Sequence, residues 1–388
     1  MSAKPFEVCV AEKTLDDLRQ RLSETRWPGE MHEAGWEYGT NLDYLKSLTR
    51  YWADSFDWRA QEREINRLAH FRADIDGFGI HFIHERGKGE RPLPLVLTHG
   101  FPDSFLRFSK VIPLLTDPGA HGADPKDAFD VVVPSLPGYG FSDKPTKKGT
   151  LFKIADLWAK LMTDELGYDR FGAHGGDWGS TVTEHLARSH ARSLAGIHLT
   201  DVPFMHLFEK PKDLSSKERK FIADSKKWQQ KEGAYAMIQG TRPQSLAYGL
   251  NDSPAGLAGW IVEKFRAWSD CNGDVETRFT KDELLTNITL YWVTQTINSS
   301  FWLYYDAANA GPMTWTVEAV KKWMGSSTVP AGFANFPGDL LPPPRDWAQR
   351  YFNIQHWTDM PRGGHFAAME QPDLLVEDIR TFFRPLRH

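Results

Sequence analysis

The first 75 residues differ in pattern from the rest of the chain. Leu15, Leu18, Leu22 and Trp27 recur at roughly helical spacing among polar residues, which predicts an amphipathic helix. No alternation of strand-like and helix-like segments occurs here. We therefore expect a helical N-terminal extension that packs on a larger body.

From about residue 76 the chain carries short apolar runs of strand length. Residues 94–98 and 129–134 are almost continuously apolar, which is typical of parallel strands buried on both faces. Residues 80–84 and 194–199 predict two further strands, and residues 152–166 have helical periodicity. Strands that alternate with helices predict an α/β fold, with a mostly parallel sheet and helices on both faces.

Strand patterns stop between residues 206 and 317, where the chain is helical and rich in aromatic residues. Strand and helix patterns return near Pro330 and continue to the end. This order predicts an α/β core at 76–205 and 318–388, interrupted by a helical cap at 206–317. The helical extension at 1–75 precedes both.

Composition narrows the possible functions. The 388 residues are 41% hydrophobic and 25% charged, with a net charge of −5, which predicts no nucleic-acid partner and no basic membrane-binding surface. No run approaches the roughly 20 apolar residues that span a bilayer. Cys9 and Cys271 lie too far apart in sequence to suggest a disulfide framework, which favours a cytoplasmic location. No Cys/His cluster has the spacing of zinc ligands, so we expect no metal.

Gly175-Gly176-Asp177-Trp178-Gly179 has the pattern of a nucleophile elbow, with aspartate where most esterases carry serine. Flanking glycines permit a sharp turn from strand to helix that exposes one side chain. A carboxylate there can attack directly at neutral pH, because it needs no base to remove a proton. Asp177 is therefore the candidate nucleophile for a saturated carbon that bears a leaving group.

A second turn follows the buried strand at 94–98. In Thr98-His99-Gly100-Phe101-Pro102, glycine allows the backbone to direct an amide N–H into the site. The expected oxyanion donors are the N–H groups of Phe101 and Trp178, while His99, Gly100 and Pro102 shape the loop.

Near the C-terminus, the glycines of Gly363-Gly364-His365 permit a loop that presents the imidazole at the carboxyl edge of the sheet, after the nucleophile in chain order. His365 is the candidate base, because the pKa of histidine suits proton transfer near pH 7. Asp339 could orient it, and Asp201 competes for that role. Asp346 and Asp359 are weaker candidates.

The cap contributes tyrosines. A saturated carbon that bears a leaving group can belong to an epoxide ring. When such a ring opens, its oxygen develops alkoxide character, and a phenol can donate a proton to that oxygen without prior ionisation. Tyr235 and the pair Tyr304-Tyr305 are the candidates.

Taken together, these motifs resemble the epoxide hydrolases of the α/β-hydrolase superfamily, above all the microsomal-type branch with its soluble fungal and bacterial members. The resemblance covers nearly the whole chain. It includes residues 22–28, 98–102, 112–116, 134–142, 175–179, 250–254, 290–292 and 363–368.

The resemblance implies a role for each matching position. Asp177 corresponds to the nucleophile, His365 to the base and Asp339 to the acid that orients it. Tyr235 corresponds to the first cap tyrosine and Tyr304 to the second, with Tyr305 as the alternative. The given residues show no counterpart of the membrane-anchoring N-terminal helix of the mammalian members, so we expect no membrane partner. Bacterial relatives of this length include enzymes of enediyne antibiotic biosynthesis.

We therefore expect an enzyme that converts a bulky, aromatic epoxide to a vicinal diol, with water as the second substrate and no cofactor. The alternative is a haloalkane or haloacid dehalogenase, which would use the same aspartate chemistry. The N-terminal extension and the cap could also bury the surface of a homodimer.

Overall fold

The computed structural model describes residues 3–208, 211–309 and 327–387. Among these residues nine strands form a single sheet. They are β1 (Lys4–Pro5), β2 (His70–Ile75), β3 (Phe78–Glu85), β4 (Leu93–Thr98), β5 (Phe129–Pro134), β6 (Phe171–Gly175), β7 (Leu194–Leu199), β8 (Pro330–Asn335) and β9 (Asn353–Asp359). Their order across the sheet is β1-β2-β3-β5-β4-β6-β7-β8-β9.

The sheet is mixed but mostly parallel. From β5 through β4, β6, β7 and β8 to β9, each strand is parallel to the next. The pairs β1–β2, β2–β3 and β3–β5 are antiparallel. The chain segments that connect the parallel strands contain helices, and these helices pack against both faces of the sheet. The predicted α/β-hydrolase architecture is confirmed.

Helices fall into three groups along the chain. Three precede the sheet's main body: α1 (Glu12–Ser23), α2 (Leu42–Asp54) and α3 (Trp58–Ile65). In the described part of the connection between β7 and β8 there are six α-helices: α7 (Ser216–Glu232), α8 (Ala234–Thr241), α9 (Pro243–Asp252), α10 (Pro254–Trp268), α11 (Lys281–Thr294) and α12 (Ile297–Asn309). The rest flank the sheet: α4 (Val111–Thr116), α5 (Ile154–Lys160), α6 (Trp178–Ser189), α13 (Arg345–Gln349), α14 (Ala367–Glu370) and α15 (Pro372–Phe383).

Central strands bury both of their faces. Leu95 and Leu97 of β4 belong to the core on one side of the sheet, and Val96 belongs to the core on the other. Val132 and Val133 of β5 divide in the same way. Because successive side chains of a strand point in opposite directions, a strand covered on both sides reads as an uninterrupted apolar run.

The predicted strands at 80–84, 94–98, 129–134 and 194–199 are confirmed. The predicted helix at 152–166 is confirmed as α5, which continues as a π-helical turn over Leu161–Glu165. The sequence predicted strands only from about residue 76 and a helical extension before it. The sheet begins earlier, because β1 and β2 lie within the first 75 residues. The apolar alternation of β2 is weak, and its pairing with β3 decides its structure.

Three positions of the N-terminal stripe behave as expected, and Trp27 does not. Leu15, Leu18 and Leu22 are buried in α1. The helix ends at Ser23, so Trp27 lies beyond it and is 36% exposed. Helical spacing therefore held only over the three leucines.

The N-terminal helices pack against α10 and α11, two of the helices that lie between β7 and β8. Trp52 of α2 donates its indole N–H to the Thr289 hydroxyl of α11 at 3.0 Å. The Tyr51 hydroxyl donates to Asp282 at 2.9 Å. Since β1 and β2 are strands of the sheet, this segment connects the sheet with α11. The predicted domain boundaries at 75 and 205 stay predictions, and the one at 317 lies outside the described residues.

Loops that follow β4, β6, β7 and β8 leave the sheet at one common edge, because parallel strands end on the same side. Helices α8 and α12, which contact each other closely, come from the chain segment inserted after β7. The predicted loop at 98–102 follows β4, and the candidate carboxylates Asp177, Asp201 and Asp339 follow β6, β7 and β8. This edge is therefore where the chain can bring them together.

One buried histidine makes stability depend on pH. His174 of β6 lies 3.0 Å from His198, Nδ1 to Nδ1, and burial, the neighbouring His198 and Arg107 hold the pKa of His174 well below its usual value. The unfolded chain therefore binds a proton below about pH 6.5 that the folded protein does not, so stability falls as pH falls. From pH 7 to pH 5 this amounts to about 2 kcal/mol of unfolding free energy. We expect urea unfolding at pH 7 and pH 5 to show a smaller pH effect in His174→Asn, by about this amount; an unchanged pH effect would contradict the assignment.

Candidate active site

The chain reverses direction sharply at Asp177, between β6 and α6. Its φ of 58° and ψ of −127° lie outside the regions that L-residues favour. Such a conformation costs on the order of 1–3 kcal/mol and persists only where surrounding contacts enforce it. The turn directs the carboxylate toward the loop that follows β4.

Glycines on either side of Asp177 make room for this turn. A Cβ on Gly175 would lie 2.2 Å from the carbonyl oxygen of Gly179, and a Cβ on Gly179 would lie 1.9 Å from that of Thr98. Both distances are far below van der Waals contact. Close approach of backbone segments thus explains why these two positions are glycine.

Asp201, which lies just after β7, accepts hydrogen bonds from the turn at Asp177. Its Oδ1 accepts hydrogen bonds from the Asp177 amide N–H at 2.9 Å and from the Ser180 hydroxyl at 2.6 Å. Burial and the negative charge of Asp339 raise the pKa of Asp201 to about 7. Within the described residues, the hydrogen bonds of Asp201 connect it to this turn and not to the His365 ring.

The loop after β4 faces the Asp177 carboxylate. The Phe101 amide N–H donates to Asp177 Oδ1 at 2.9 Å. Trp178 is the first residue of α6, and N–H groups in the first turn of a helix have no partner within that helix. Both predicted oxyanion donors therefore belong to backbone next to Asp177.

His99, Gly100 and Pro102 lie in the interior of this loop. The Leu136 amide donates to His99 Nε2 at 3.1 Å, which leaves Nδ1 to donate to the Gly100 carbonyl at 3.0 Å. The Pro102 carbonyl accepts from the side-chain amide of Asn287 on α11 at 2.8 Å. These bonds fix the loop on both sides.

His365 lies between two carboxylates. Its Nε2 is 3.4 Å from Asp177 Oδ2, and its Nδ1 is 2.8 Å from Asp339 Oδ1. The first distance is longer than a good hydrogen bond, and the second is a short one. The two oxygens of Asp177 thus have different neighbours: Oδ1 meets an amide, and Oδ2 faces the imidazole.

Charge controls the protonation of His365. Burial lowers its pKa, but the negative charges of Asp339 and Asp177 outweigh burial and raise the pKa to about 10. The ring is therefore an imidazolium at neutral pH while Asp177 carries its charge. Loss of the Asp177 charge would remove one of the two interactions that hold this proton.

Of the four candidate carboxylates, Asp339 is the one that contacts the His365 ring. It follows β8, and its Oδ1 also accepts from the Leu340 amide at 2.6 Å. Asp346 accepts from the Ser215 hydroxyl at 3.3 Å, and Asp359 ends β9 beside Asn335. Neither of those two is among the partners of His365 in the described chain.

Helices α8 and α12 bring two tyrosines close to the turn. The Tyr304 ring of α12 lies 4.8 Å from that of Trp178 and 5.6 Å from that of Phe101, edge to face in both cases. Tyr235 of α8 stacks on Phe101 at 6.3 Å and meets Tyr304 at 5.8 Å. Both are buried, and burial raises the pKa of each phenol, so both stay protonated at neutral pH.

Tyr305 points elsewhere. It is half-buried, and the Lys148 ammonium lies 5.3 Å from its ring centroid. Neighbouring residues on a helix differ in direction by about 100°, so only one of the pair can face the turn. The contacts to Trp178 and Phe101 belong to Tyr304.

Sequence reasoning missed a buried ion pair that joins two loops of the site. Asp103 Oδ1 accepts from the Gly100 amide at 2.9 Å, and Asp103 Oδ2 pairs with Arg107. Arg107 also donates to the His365 carbonyl. Asp103 directly follows the motif of residues 98–102, which was the available signal; nothing in the sequence distinguished Arg107.

Glu370 is a second residue that the sequence did not indicate. Its carboxylate accepts from the amides of Gly364, Phe366 and Asp270 at 2.8–3.0 Å. Gly364 and Phe366 flank His365, so Glu370 fixes the loop on both sides of the imidazole. An acidic residue soon after a glycine-rich loop is too common to have served as a signal.

Within the described residues, no group of three or more His, Cys, Asp and Glu side chains is arranged to hold a metal ion. In the same residues, no helix combines the length and the apolar character needed to cross a membrane.

Two sequence families match the chain. The family described as "Epoxide hydrolase N terminus" matches residues 3–108, and the "alpha/beta hydrolase fold" family matches residues 94–235. A putative epoxide hydrolase of Stigmatella aurantiaca is 44% identical over 386 residues, which cover 99% of this chain and 85% of the relative. Epoxide hydrolase 1 of Sus scrofa is 38% identical over 98% of this chain and 88% of its own length.

Solved structures agree with the sequence relatives. The epoxide hydrolase of Aspergillus niger matches with a TM-score of 0.85 at 30% identity, covering 100% of this chain and 97% of that chain. The juvenile hormone epoxide hydrolase of Bombyx mori matches with a TM-score of 0.83 at 30% identity, over 100% and 94% of the two chains.

The lack of space for a side chain at Gly100 provides a test of the site geometry. A Cβ there would lie 2.2 Å from Asp177 Oδ1, so Gly100→Ala should displace the carboxylate or the loop. We expect kcat/KM for styrene oxide to fall by about 100-fold or more, because a displacement near 1 Å costs this much. Gly249→Ala on α9 is the matched control, since a Cβ there meets nothing within 4 Å. Equal activity of the two variants would contradict the geometry.

Proposed function

The chain belongs to the epoxide hydrolases of the α/β-hydrolase fold, and from this premise we propose that it converts an epoxide to a vicinal diol through an ester at Asp177. One observation carries the proposal. The Asp177 carboxylate lies between the Phe101 amide at 2.9 Å and the His365 ring at 3.4 Å, under two buried phenols. That arrangement can bind, open and hydrolyse a strained ether.

The proposed substrate is a bulky, aromatic epoxide. The rings of Phe101, Trp178, Tyr235 and Tyr304 form a cluster beside the turn that carries Asp177, and the four pairs in contact have centroids 4.8–6.3 Å apart. Aromatic rings favour offset or edge-to-face contacts at such distances. An aryl group on the epoxide would find the same contacts.

In the first step Asp177 Oδ2 attacks one ring carbon of the epoxide. The carbon–oxygen bond on that carbon breaks, and its electron pair moves to the epoxide oxygen. Tyr235 and Tyr304 hold this oxygen, and one of them donates its proton. The products are a hydroxyalkyl ester at Asp177 and a phenolate.

Esterification then changes His365 from an acid to a base. The ester has no negative charge, so one of the two interactions that raise the pKa of His365 disappears. The imidazolium proton can pass to the phenolate, which restores a neutral tyrosine and a neutral imidazole. The base is thus formed only once it is required.

In the second step neutral His365, oriented by Asp339, takes a proton from water. The hydroxide oxygen adds to the ester carbonyl of Asp177, and the Phe101 and Trp178 amides stabilise the oxyanion. Collapse of this intermediate breaks the bond between the carbonyl carbon and the alkyl oxygen, and the departing oxygen takes the proton of the added hydroxyl, which releases the diol. Asp177 is again a carboxylate and His365 again an imidazolium, so charge and atoms balance over the cycle.

Three broader expectations rest on the sequence and stay predictions: a cytoplasmic location, a homodimer, and a role in antibiotic biosynthesis. The dehalogenase alternative also stays open to test. We favour the epoxide, because protonated phenols over Asp177 suit an oxygen leaving group, which must gain a proton, better than a halide.

The ester provides the decisive test. In His365→Gln the ester should form but persist, because no base activates water. Rapid mixing with styrene oxide, followed by digestion and mass spectrometry, should find the peptide that contains Asp177 heavier by the mass of the epoxide.

Asp177→Ala is the control: it should give neither adduct nor diol and should keep its folded circular-dichroism spectrum. Full diol formation by Asp177→Ala would contradict the nucleophile assignment. Halide release from chloroalkanes at a rate exceeding diol formation would instead favour the dehalogenase.

Removal of the phenolic hydroxyls should slow ring opening. Tyr235→Phe and Tyr304→Phe should each slow ester formation by about tenfold or more, and the double variant should be nearly inactive, since general acid catalysis supplies factors of about 100 to 10,000. Single-turnover kinetics measures this step directly. Tyr305→Phe is the matched control, and it should react at the unmodified rate. A double variant with normal ester formation would refute the cap assignment.

A further inference from the structure

Lys264 of α10 is buried in the cap beside Tyr235, and the proposed cycle gives it no task. Only 5% of the residue is exposed. An ammonium loses its hydration when it is buried, so compensating contacts must hold it there. Glu263 provides one such contact, with 2.5 Å between Nζ and Oε2.

Two aromatic rings provide the other contacts. The Lys264 ammonium nitrogen lies 5.0 Å from the ring centroid of Tyr235 and 5.6 Å from that of Trp268. Both distances are within the range of about 6 Å at which a cation is attracted to a ring face. Trp268 in turn meets the His365 ring edge to face at 5.4 Å. The cation thus lies against the ring of the proposed acid.

Negative charges near Tyr235 oppose ionisation of its phenol. Burial is the largest effect that raises its pKa, and Asp177, Glu232 and Glu263 add to it. When Tyr235 gives up its proton, the new negative charge spreads from the oxygen into the ring. The hydrogen bond with Tyr304 lowers the pKa of Tyr235 and so favours the phenolate, and a positive charge over the ring face can stabilise it further.

We propose that Lys264 is a positioning residue for catalysis, whose ammonium over the Tyr235 ring stabilises the phenolate formed as the epoxide opens. In that step the Tyr235 O–H bond breaks, its electron pair stays on the phenolate, and the proton forms the hydroxyl of the hydroxyalkyl ester. Lys264 touches no reacting atom and acts only through Tyr235. The inference rests on the proposed function.

Packing alone does not account for this lysine. Replacement of buried ion pairs by apolar residues of similar volume is often neutral or stabilising, so a methionine would fill the same space. An ammonium differs from methionine in charge, and the charge lies 5.0 Å from the centre of the ring that must become negative. The proposed role therefore predicts an effect on chemistry beyond any effect on stability.

The test compares Lys264→Met with Lys264→Arg in single turnovers of styrene oxide. Lys264→Met should slow ester formation by about tenfold, the size of a desolvated cation–ring interaction, and leave ester hydrolysis unchanged. Lys264→Arg keeps a cation and should retain most of the rate. Equal losses in the two variants, or equal losses in both steps, would overturn the proposal.

A double-mutant cycle separates charge from packing. Tyr235→Phe retains the ring but not the hydroxyl, so Lys264→Met should cause no further loss of ester formation in that background. The same tenfold loss there would show that Lys264 acts by packing, and would overturn the proposal while leaving the proposed function intact. Normal ester formation by Tyr235→Phe alone would instead refute the acid role of Tyr235, and the role of Lys264 with it.

Glu263→Gln tests the sign of the electrostatic effect. It removes the negative charge beside Lys264 and leaves the ammonium over the ring, so ester formation should be as fast as before or faster. A slower reaction, comparable with that of Lys264→Met, would assign the effect to the ion pair and overturn the proposal.

Discussion

The strained backbone at Asp177 is the constraint on which the site depends. With φ at 58°, the turn sends one carboxylate oxygen to the Phe101 amide and the other toward His365. Such a conformation persists only when its surroundings enforce it. Asp201 supplies part of that enforcement by accepting the Asp177 N–H, and Gly175 allows the backbone segments to approach closely.

Electrostatics then gives the turn its chemical state. An imidazolium at His365 lies between Asp177 and Asp339, and those two charges hold its proton. Burial and the negative charges of Asp339 and Asp177 raise the pKa of the nearby Asp201 to about 7. A site with several carboxylates avoids accumulating negative charge in this way, because like charges in a buried space disfavour ionisation. The oriented cation is also what allows one histidine to serve both halves of the proposed cycle.

Distant parts of the chain hold these groups in register. The buried Asp103–Arg107 pair connects the loop after β4 to the His365 carbonyl, and Glu370 fixes the histidine loop from the other side. Helix α11 contacts the first of these loops through Asn287. Precise placement matters here because errors near 1 Å are costly for catalysis. The helices inserted after β7 thus contribute more than aromatic rings, because α11 also fixes the loop that follows β4.

Sequence alone determined the elements with local signals. Continuous apolar runs marked β4, β5 and β7, and glycines around Asp177 and His365 marked two loops, because strand burial and turn geometry restrict residue type directly. Tertiary structure decided what depends on contacts between distant segments. It made β2 a strand by pairing it with β3, placed Asp339 rather than Asp201 against His365, and turned Tyr304 rather than Tyr305 toward the carboxylate. The family resemblance favours Asp339 and Tyr304, but residue type alone cannot separate two aspartates or two adjacent tyrosines. The three-dimensional direction of each side chain decides which one contacts the site.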